Sequence, residues 1–222
     1  MSSTSGYSME MSGIPWYRRN AASMRRFYDW INPIYGLIEW RLGPKLDRVL
    51  ATVLPTMKLL PYESTAIEYA CGSGLLSLKL APFFSQLNCR DQSEGMLARA
   101  RSRAKYVPVK PSFEYGDILA IDEADGSVDY VFMSFALHLF SSGQRKEILT
   151  KLGRVARKEV IIIDHGRSSD WLTEIVERLE GSHYDQFIRE DFVVLAQETG
   201  YNQIHESEVD SCMVLRFQKS DE

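Results

Sequence analysis

Apolar positions change their spacing repeatedly along this chain, and each change marks an element. From Tyr17 to Leu54 they recur at helical intervals, among them Phe27, Trp30, Ile31, Leu46, Val49 and Val53. Pro33, Gly43-Pro44 and Pro55 cut that segment into two or three short helices. Ala66 to Tyr69 forms a short apolar strand, Leu75 to Phe84 a helix, and Gln86 to Asp91 a second strand ending in an acid. A helix follows from Ser93, a suitable N-cap, to Lys105, and Val109 to Tyr115 gives a third strand. Val128 to Phe135 is almost continuously apolar, as a strand covered on both faces should be. The amphipathic helix Ser142 to Arg157 then feeds a second such run, Val160 to Asp164. Trp171 to Glu180 and Arg189 to Thr199 read as helices on either side of a break at Gly181-Ser182-His183-Tyr184. Asn202 to Val209 and Cys212 to Gln218 read as a hairpin around Asp210-Ser211. Five strands alternate with helices and two close the chain, which predicts an α/β sheet with right-handed crossovers and any ligand at the carboxyl ends of its strands. No internal repeat is present. Residues 1–16 show no periodicity and are expected to be a flexible tail. Residues 17–222 make one domain, a helical cap over 17–60 and a core over 61–222.

The stretch from Ala66 to Lys79 organises the rest. Its strand ends in Cys71-Gly72-Ser73-Gly74 and opens directly into a helix, the geometry of a nucleotide-binding turn. Gly72 and Gly74 allow backbone N–H groups to come close to a ligand. A dinucleotide fingerprint would place a third glycine where Ser77 stands, and a phosphate loop would need a Lys-Ser or Lys-Thr pair that is missing. Glu68, at the tip of the strand, repels phosphate and suits an ammonium group. A glycine-containing turn without a ligand has the same local pattern, so the downstream spacing must decide. Asp91 lies 17 residues beyond Gly74, close to where α/β nucleotide folds place the carboxylate that receives ribose hydroxyls. A surface turn residue is the competing account of Asp91.

On these residues the chain resembles the class I S-adenosylmethionine-dependent methyltransferases, whose first motif runs apolar-apolar-acid-x-x-Cys/Gly-Gly-x-Gly. The resemblance implies a Rossmann-like, seven-stranded, mostly parallel sheet with helices on both faces, an antiparallel C-terminal hairpin and an N-terminal helical cap. It also implies S-adenosyl-L-methionine as cofactor and S-adenosyl-L-homocysteine as product. Gln92-Ser93-Glu94-Gly95-Met96-Leu97 is similar to the family's acid-x-Ser-x-x-Met-Leu segment, with Met96 against adenine, and Gly116-Asp117-Ile118 matches its adenine-binding acid and following amide. The implied cofactor residues are Tyr28, Glu68, Ala70, Gly72, Ser73, Gly74, Asp91, Gln92, Met96, Asp117, Ile118 and Ser134. Many relatives carry Lys-Pro-Gly-Gly before the fifth strand, whereas this chain has Ala156-Arg157-Lys158-Glu159, a shorter turn.

Composition and charge narrow the partners. The 222 residues are 45% hydrophobic and 25% charged, an ordinary globular balance, and a net charge of -4 argues against a general nucleic-acid binder. Cys71, Cys89 and Cys212 are widely spaced with no Cys-x-x-Cys pair, so neither a metal site nor a disulfide framework is expected, and a cytoplasmic location follows. No apolar run reaches the ~18 residues of a membrane span. Between Tyr17 and Arg48 seven basic residues outnumber three acidic ones, which reads as a solvated face or a contact with an anionic partner or membrane surface. The sequence is silent on oligomeric state.

The nucleic-acid and amide methylating members carry Asn/Asp-Pro-Pro-Tyr after the fourth strand. Here Ser134-Phe135-Ala136-Leu137 stands in its place, so a small organic or lipid-like acceptor is expected. The segment from Tyr28-Asp29 to Trp40-Arg41 loosely resembles the cap of quinone C-methyltransferases and phospholipid N-methyltransferases. A lid over the pocket, spanning Tyr17 to Trp40, is expected from its aromatic residues, with ordinary core packing as the rival account. His138, His165 and Asp164, each just past a predicted strand end, are the candidate bases or orienting groups, with the two histidines foremost, and His183 and Tyr184 are further candidate pocket residues. Two other classes fit less well: a non-catalytic relative of the fold, and a dinucleotide-dependent oxidoreductase, which Glu68 and Ser77 disfavour.

Overall fold

The computed structural model describes Gly36 and residues 39–60, 62–168 and 183–220. Seven strands form one sheet: β1 Thr65–Tyr69, β2 Gln86–Asp91, β3 Ser112–Tyr115, β4 Val128–Ser134, β5 Ala156–His165, β6 Tyr201–Val209 and β7 Cys212–Lys219. Their order is β3-β2-β1-β4-β5-β7-β6, with β1 to β5 parallel and β7 antiparallel to both β5 and β6. β1 pairs with both β2 and β4, so the strand order reverses there and a crevice opens at its carboxyl end. The described helices are α1 (39–53), α2 Leu75–Leu80, α3 Glu94–Ala104, α4 Ser142–Val155, α5 Tyr184–Phe187 and α6 Phe192–Glu198.

Side-chain alternation along the strands builds two cores, one on each face of the sheet. Ala66, Cys89, Phe132 and Ile161 face one way, where they meet Leu46, Val49 and Val53 of α1, Leu76 and Leu80 of α2 and Leu97 and Ala100 of α3. Ile67, Val131, Met133 and Ile162 face the other way, against Ile148, Leu149 and Leu152 of α4 and Phe192 and Leu195 of α6. The apolar runs at β4 and β5 are buried on both faces for this reason.

Element ends differ from expectation where local chemistry intervenes. Pro82 turns the last part of the helix expected to reach Phe84 into a 3-10 turn, Ala81–Phe83. β3 starts at Ser112 rather than Val109, because Pro111 has no N–H for the ladder. The helix expected to run to Arg157 stops at Val155, and Ala156 is already extended, so α4 passes into β5 with no intervening turn. Tyr184, expected in a break, starts α5, while α6 begins after Asp191, whose side chain accepts the Val193 and Val194 amides at 3.1 Å each. Asp210 and Ser211, both at positive φ, make the tight β6–β7 turn.

Of the basic excess near the amino terminus, Arg48 is paired inside the molecule, whereas the acidic Asp47 of the same segment is taken up by a lysine outside it. Asp47 pairs with Lys79 at 2.5 Å, and Arg48 with Asp210. The tail, Tyr28, the expected helix Trp171 to Glu180, and the expected lid apart from Gly36, Glu39 and Trp40 lie outside the described residues. Trp40 is 74% exposed, so this ring turns outward while its neighbour Glu39 turns in. No helix among the described residues is long and apolar enough to cross a membrane.

Candidate active site

A cleft opens at the carboxyl ends of β1, β2 and β4. Ala70, Cys71, Gly72 and Ser73 form its floor, and Asp91, Gln92, Met96, Gly116 and Ile118 form the side beyond β2 and β3. Ser134, Phe135, Ala136, Leu139 and Phe140 supply the side beyond β4, and Glu39, Leu42 and Leu46 of α1 supply a wall facing the turn. The backbone is strained where the floor meets β4: Ala70 (φ 53°) and Phe135 (φ 48°) both adopt the left-handed conformation without being glycine. Each costs of order 1–3 kcal/mol, and such outliers persist where the surroundings over-determine them. The Phe135 amide donates to the Ile163 carbonyl at 2.8 Å, which fixes one of them.

The two glycines of the turn have different reasons to be bare. A Cβ on Gly72 (φ 53°) would meet nothing within 4 Å and would project into open space at the cleft floor. A Cβ on Gly74 (φ 77°) would press on Ala100 at 3.0 Å and on the Phe113 ring at 3.1 Å. Gly74 does not line the cleft. Its lack of a side chain, expected to serve a ligand, instead lets the start of α2 pack against α3 and β3.

Asp91 fastens the turn to β2. Its Oδ2 accepts the Gly72 amide at 2.7 Å and its Oδ1 accepts the Ser93 amide at 2.8 Å. Ser93 in turn caps α3 by accepting the Met96 amide at 3.3 Å, which sets Met96 into the cleft wall. Asp117 stands outside the lining, its carboxylate accepting the Leu119 amide at 2.9 Å, whereas its neighbours Gly116 and Ile118 do face the cleft.

Glu68 lies beneath the floor, fully buried. Its carboxylate accepts the Ser134 hydroxyl at 3.0 Å and the Ser77 hydroxyl, and no cation among the described residues pairs with it. Burial pushes its carboxyl up to about 7; the two serine hydroxyls pull it back and Asp91 pushes it further. The unfolded carboxyl titrates near 4.5. Between those values the folded chain holds a proton that the unfolded chain releases, so stability falls as pH rises from 4.5 to about 7 and stays low above. The difference is of order 3 kcal/mol. Glu68→Gln removes this titration, and thermal melts should show the variant more stable than the parent at pH 8 by several degrees, with the gap closing near pH 5. Equal pH dependence in both proteins would contradict this assignment.

His138, in a 3-10 turn between Ala136 and Phe140, sits behind the cleft wall rather than in it. Its Nδ1 is 2.5 Å from Asp164 Oδ1, and its amide donates to Asp164 Oδ2 at 3.1 Å. Asp164, at the end of β5, is fully buried and also accepts the His165 amide at 2.8 Å. Burial opposes its charge, but His138, by charge and hydrogen bond, and His165 hold the carboxyl below its usual range. The His165 ring lies 5.1 Å from that of His138 and 4.9 Å from Phe135, which lines the cleft. Tyr184 donates to the Gly166 carbonyl at 2.7 Å, and the His183 amide donates to the His138 carbonyl at 3.1 Å, so both brace this cluster from α5.

Sequence reasoning did not find Glu39, Leu42, Leu46, Leu139 or Phe140 as cleft residues. The two leucines could have been read from the i, i+4 stripe of α1. Glu39 carried no local signal, since it lies among charges that look solvated and its partners are about sixty residues away on α3.

Residues 66–159 match a family model described as a methyltransferase domain. No curated protein sequence matches the chain significantly. Among solved structures it resembles the magnesium protoporphyrin IX methyltransferase (ChlM) from Synechocystis PCC 6803 with bound SAH, at 17% identity and TM-score 0.67, over 90% of this chain and 100% of that one. The putative methyltransferase in complex with the Trm112 methyltransferase activator of Haloferax volcanii aligns at 13% identity and TM-score 0.66, over 87% and 98% of the two chains. A SAM dependent methyltransferase from Aquifex aeolicus aligns at 19% identity and TM-score 0.62, over 77% and 89%. The structural likenesses speak to the fold, while the methyltransferase-domain match begins in β1, ends in β5 and so spans the strands that carry the cleft.

Proposed function

We propose that the cleft binds S-adenosyl-L-methionine and that the protein transfers its methyl group to a small organic or lipid-like acceptor. The observation that carries this reading is the convergence at one switch point of a bare glycine facing open space, a strand-end carboxylate and a buried carboxylate with no described cation beside it. Asp91 would receive the ribose hydroxyls. A carboxylate accepts about four hydrogen bonds, so holding the Gly72 and Ser93 amides is compatible with that role. Ala70, Gly72, Ser73 and Ser134 would lie along the methionine arm, with Glu68 below as countercharge to its ammonium. Gln92, Met96 and Ile118 would enclose the adenine, with Asp117 setting the Ile118 loop from outside the lining. Gly74 would act through the packing of the turn. Tyr28 would be a further cofactor contact by the family resemblance alone.

When bound, the cofactor supplies an electrophilic methyl group on a sulfonium, which leaves as a neutral thioether. The protein's contribution is to hold the acceptor in line and exclude water, which can supply most of the rate. Where the acceptor must lose a proton, His138, oriented by Asp164, is the proposed base, with His165 between it and Phe135.

Among the described residues, the charged ones of the cleft lining are Glu39 and Asp91, both acidic, while Leu42, Leu46, Leu139 and Phe140 make its acceptor end apolar. That lining disfavours a phosphate backbone and favours an uncharged ring or chain. Cys71, Cys89 and Cys212 are all free and buried, which supports a cytoplasmic placement. Mass spectrometry of S-adenosyl-L-homocysteine formed with a panel of phenols, quinols, amines and lipid head groups tests the acceptor class. Turnover with at least one of these is expected, and turnover confined to nucleic acid or protein would contradict it.

A further inference from the structure

Glu39 stands at the start of the continuously described part of α1, lines the cleft, and has a side chain only 3% exposed. A carboxylate so placed is costly unless it is well paired. It accepts Arg99 Nη2 at 2.9 Å and Arg103 Nη1 at 2.8 Å, together with Arg103 Nη2 and the Ser73 hydroxyl of the glycine turn. Arg103 Nη1 also reaches Ser73 Oγ at 3.2 Å. Arg99 and Arg103 are one turn apart on α3 and so share a face. Three separate elements, α1, the glycine turn and α3, are therefore joined through one carboxylate at one edge of the cleft.

Within the described part of α1, residues 39–53, contacts of two kinds hold the helix. Leu46, Val49, Leu50 and Val53 bury an apolar stripe in the core with α2 and α3, which anchors the carboxyl-terminal part permanently. Among the described residues, Glu39 is joined to α3 by ion pairs, and the two arginines are 25% and 32% exposed, so water can replace the carboxylate when the pairs open.

Resting on the reading that the cleft holds S-adenosyl-L-methionine, we infer that Glu39 is a positioning residue whose ion pairs with Arg99 and Arg103 clasp α1 over the glycine turn and so control cofactor entry and exit. A clasp of this kind slows both directions of exchange, whereas a direct ligand contact slows only departure. It also makes the exchange rates of the parent protein depend on salt, because the arginines are partly in water.

Stopped-flow binding of S-adenosyl-L-homocysteine separates these accounts. Glu39→Gln keeps the size but drops the charge and turns one acceptor oxygen into a donor that faces the arginines, and should raise association and dissociation rates together, by roughly tenfold or more, with a much smaller change in Kd. The Arg99→Gln, Arg103→Gln double variant should do the same. Asp47→Asn, which breaks an ion pair on the outer side of the same helix, should leave both rates alone. In the unaltered protein, raising the salt from about 0.05 to 1 M should speed both steps, a readout that needs no variant to fold. Rates insensitive both to salt and to Glu39→Gln, or a change confined to dissociation, would overturn the clasp while leaving the cofactor reading intact. Failure of the unaltered protein to bind the ligand would overturn both.

Discussion

His138→Ala is expected to keep its affinity for S-adenosyl-L-homocysteine and to lose roughly 10²–10⁴-fold in turnover with an acceptor that must give up a proton. The buried Asp164 holds Nδ1 of the ring at 2.5 Å and the His138 amide at 3.1 Å, and so fixes the imidazole behind the cleft wall. An aspartate on Nδ1 favours the tautomer whose other nitrogen is basic, as in hydrolase triads. Asp164→Asn should therefore lower turnover as well, by disturbing orientation and tautomer while the cleft is unchanged. In the parent protein the rate should fall on acidification, because an imidazole that has taken up a proton is no longer a base. Asp164 adds a separate effect of the same sign: its lowered carboxyl contributes stability above the ordinary aspartate value, and that stability is lost as pH falls through the folded value. Thermal melts alongside the kinetics distinguish the two. His138 stands behind Ala136 and Leu139, so near-normal turnover in both His138→Ala and His165→Ala would mean that alignment of the acceptor alone carries the reaction.

Asp91→Ala should weaken cofactor binding by roughly 10²–10⁴-fold. Two hydrogen bonds to a charged acceptor are lost, each of about 1.5–3 kcal/mol. The same change leaves the Gly72 and Ser93 amides without their acceptor, so the floor of the cleft loosens too. Asp91→Asn is the sharper variant, since its amide nitrogen would have to face a backbone N–H that now meets a carboxylate oxygen. Calorimetry with S-adenosyl-L-homocysteine measures the loss, and circular dichroism melts show how much of it comes from the turn. Unchanged affinity in both variants would remove Asp91 from the cofactor site.

Much of the fold was legible because its signals are local. β2 spans Gln86–Asp91 as expected, since an apolar-polar alternation and a terminal acid mark both ends, and β4 was plain from an apolar run that only two-faced burial allows. The glycine turn and Asp91 were legible through spacing along one crossover. What escaped the sequence is tertiary. Nothing near Glu39 shows that two arginines on α3 neutralise it, and nothing near Gly74 shows that Ala100 and Phe113 occupy the space its side chain would need. His138 and His165 could be placed past strand ends, but their setting behind the lining depends on how Phe135 turns at the end of β4.

A crystal structure with S-adenosyl-L-homocysteine tests the central claim most directly. The ribose should lie against the Asp91 carboxylate, the homocysteine arm over Gly72 and Ser73 above Glu68, and the adenine between Met96 and Ile118. Ligand density away from the β1–β4 switch point, or no binding at millimolar ligand, would contradict the account.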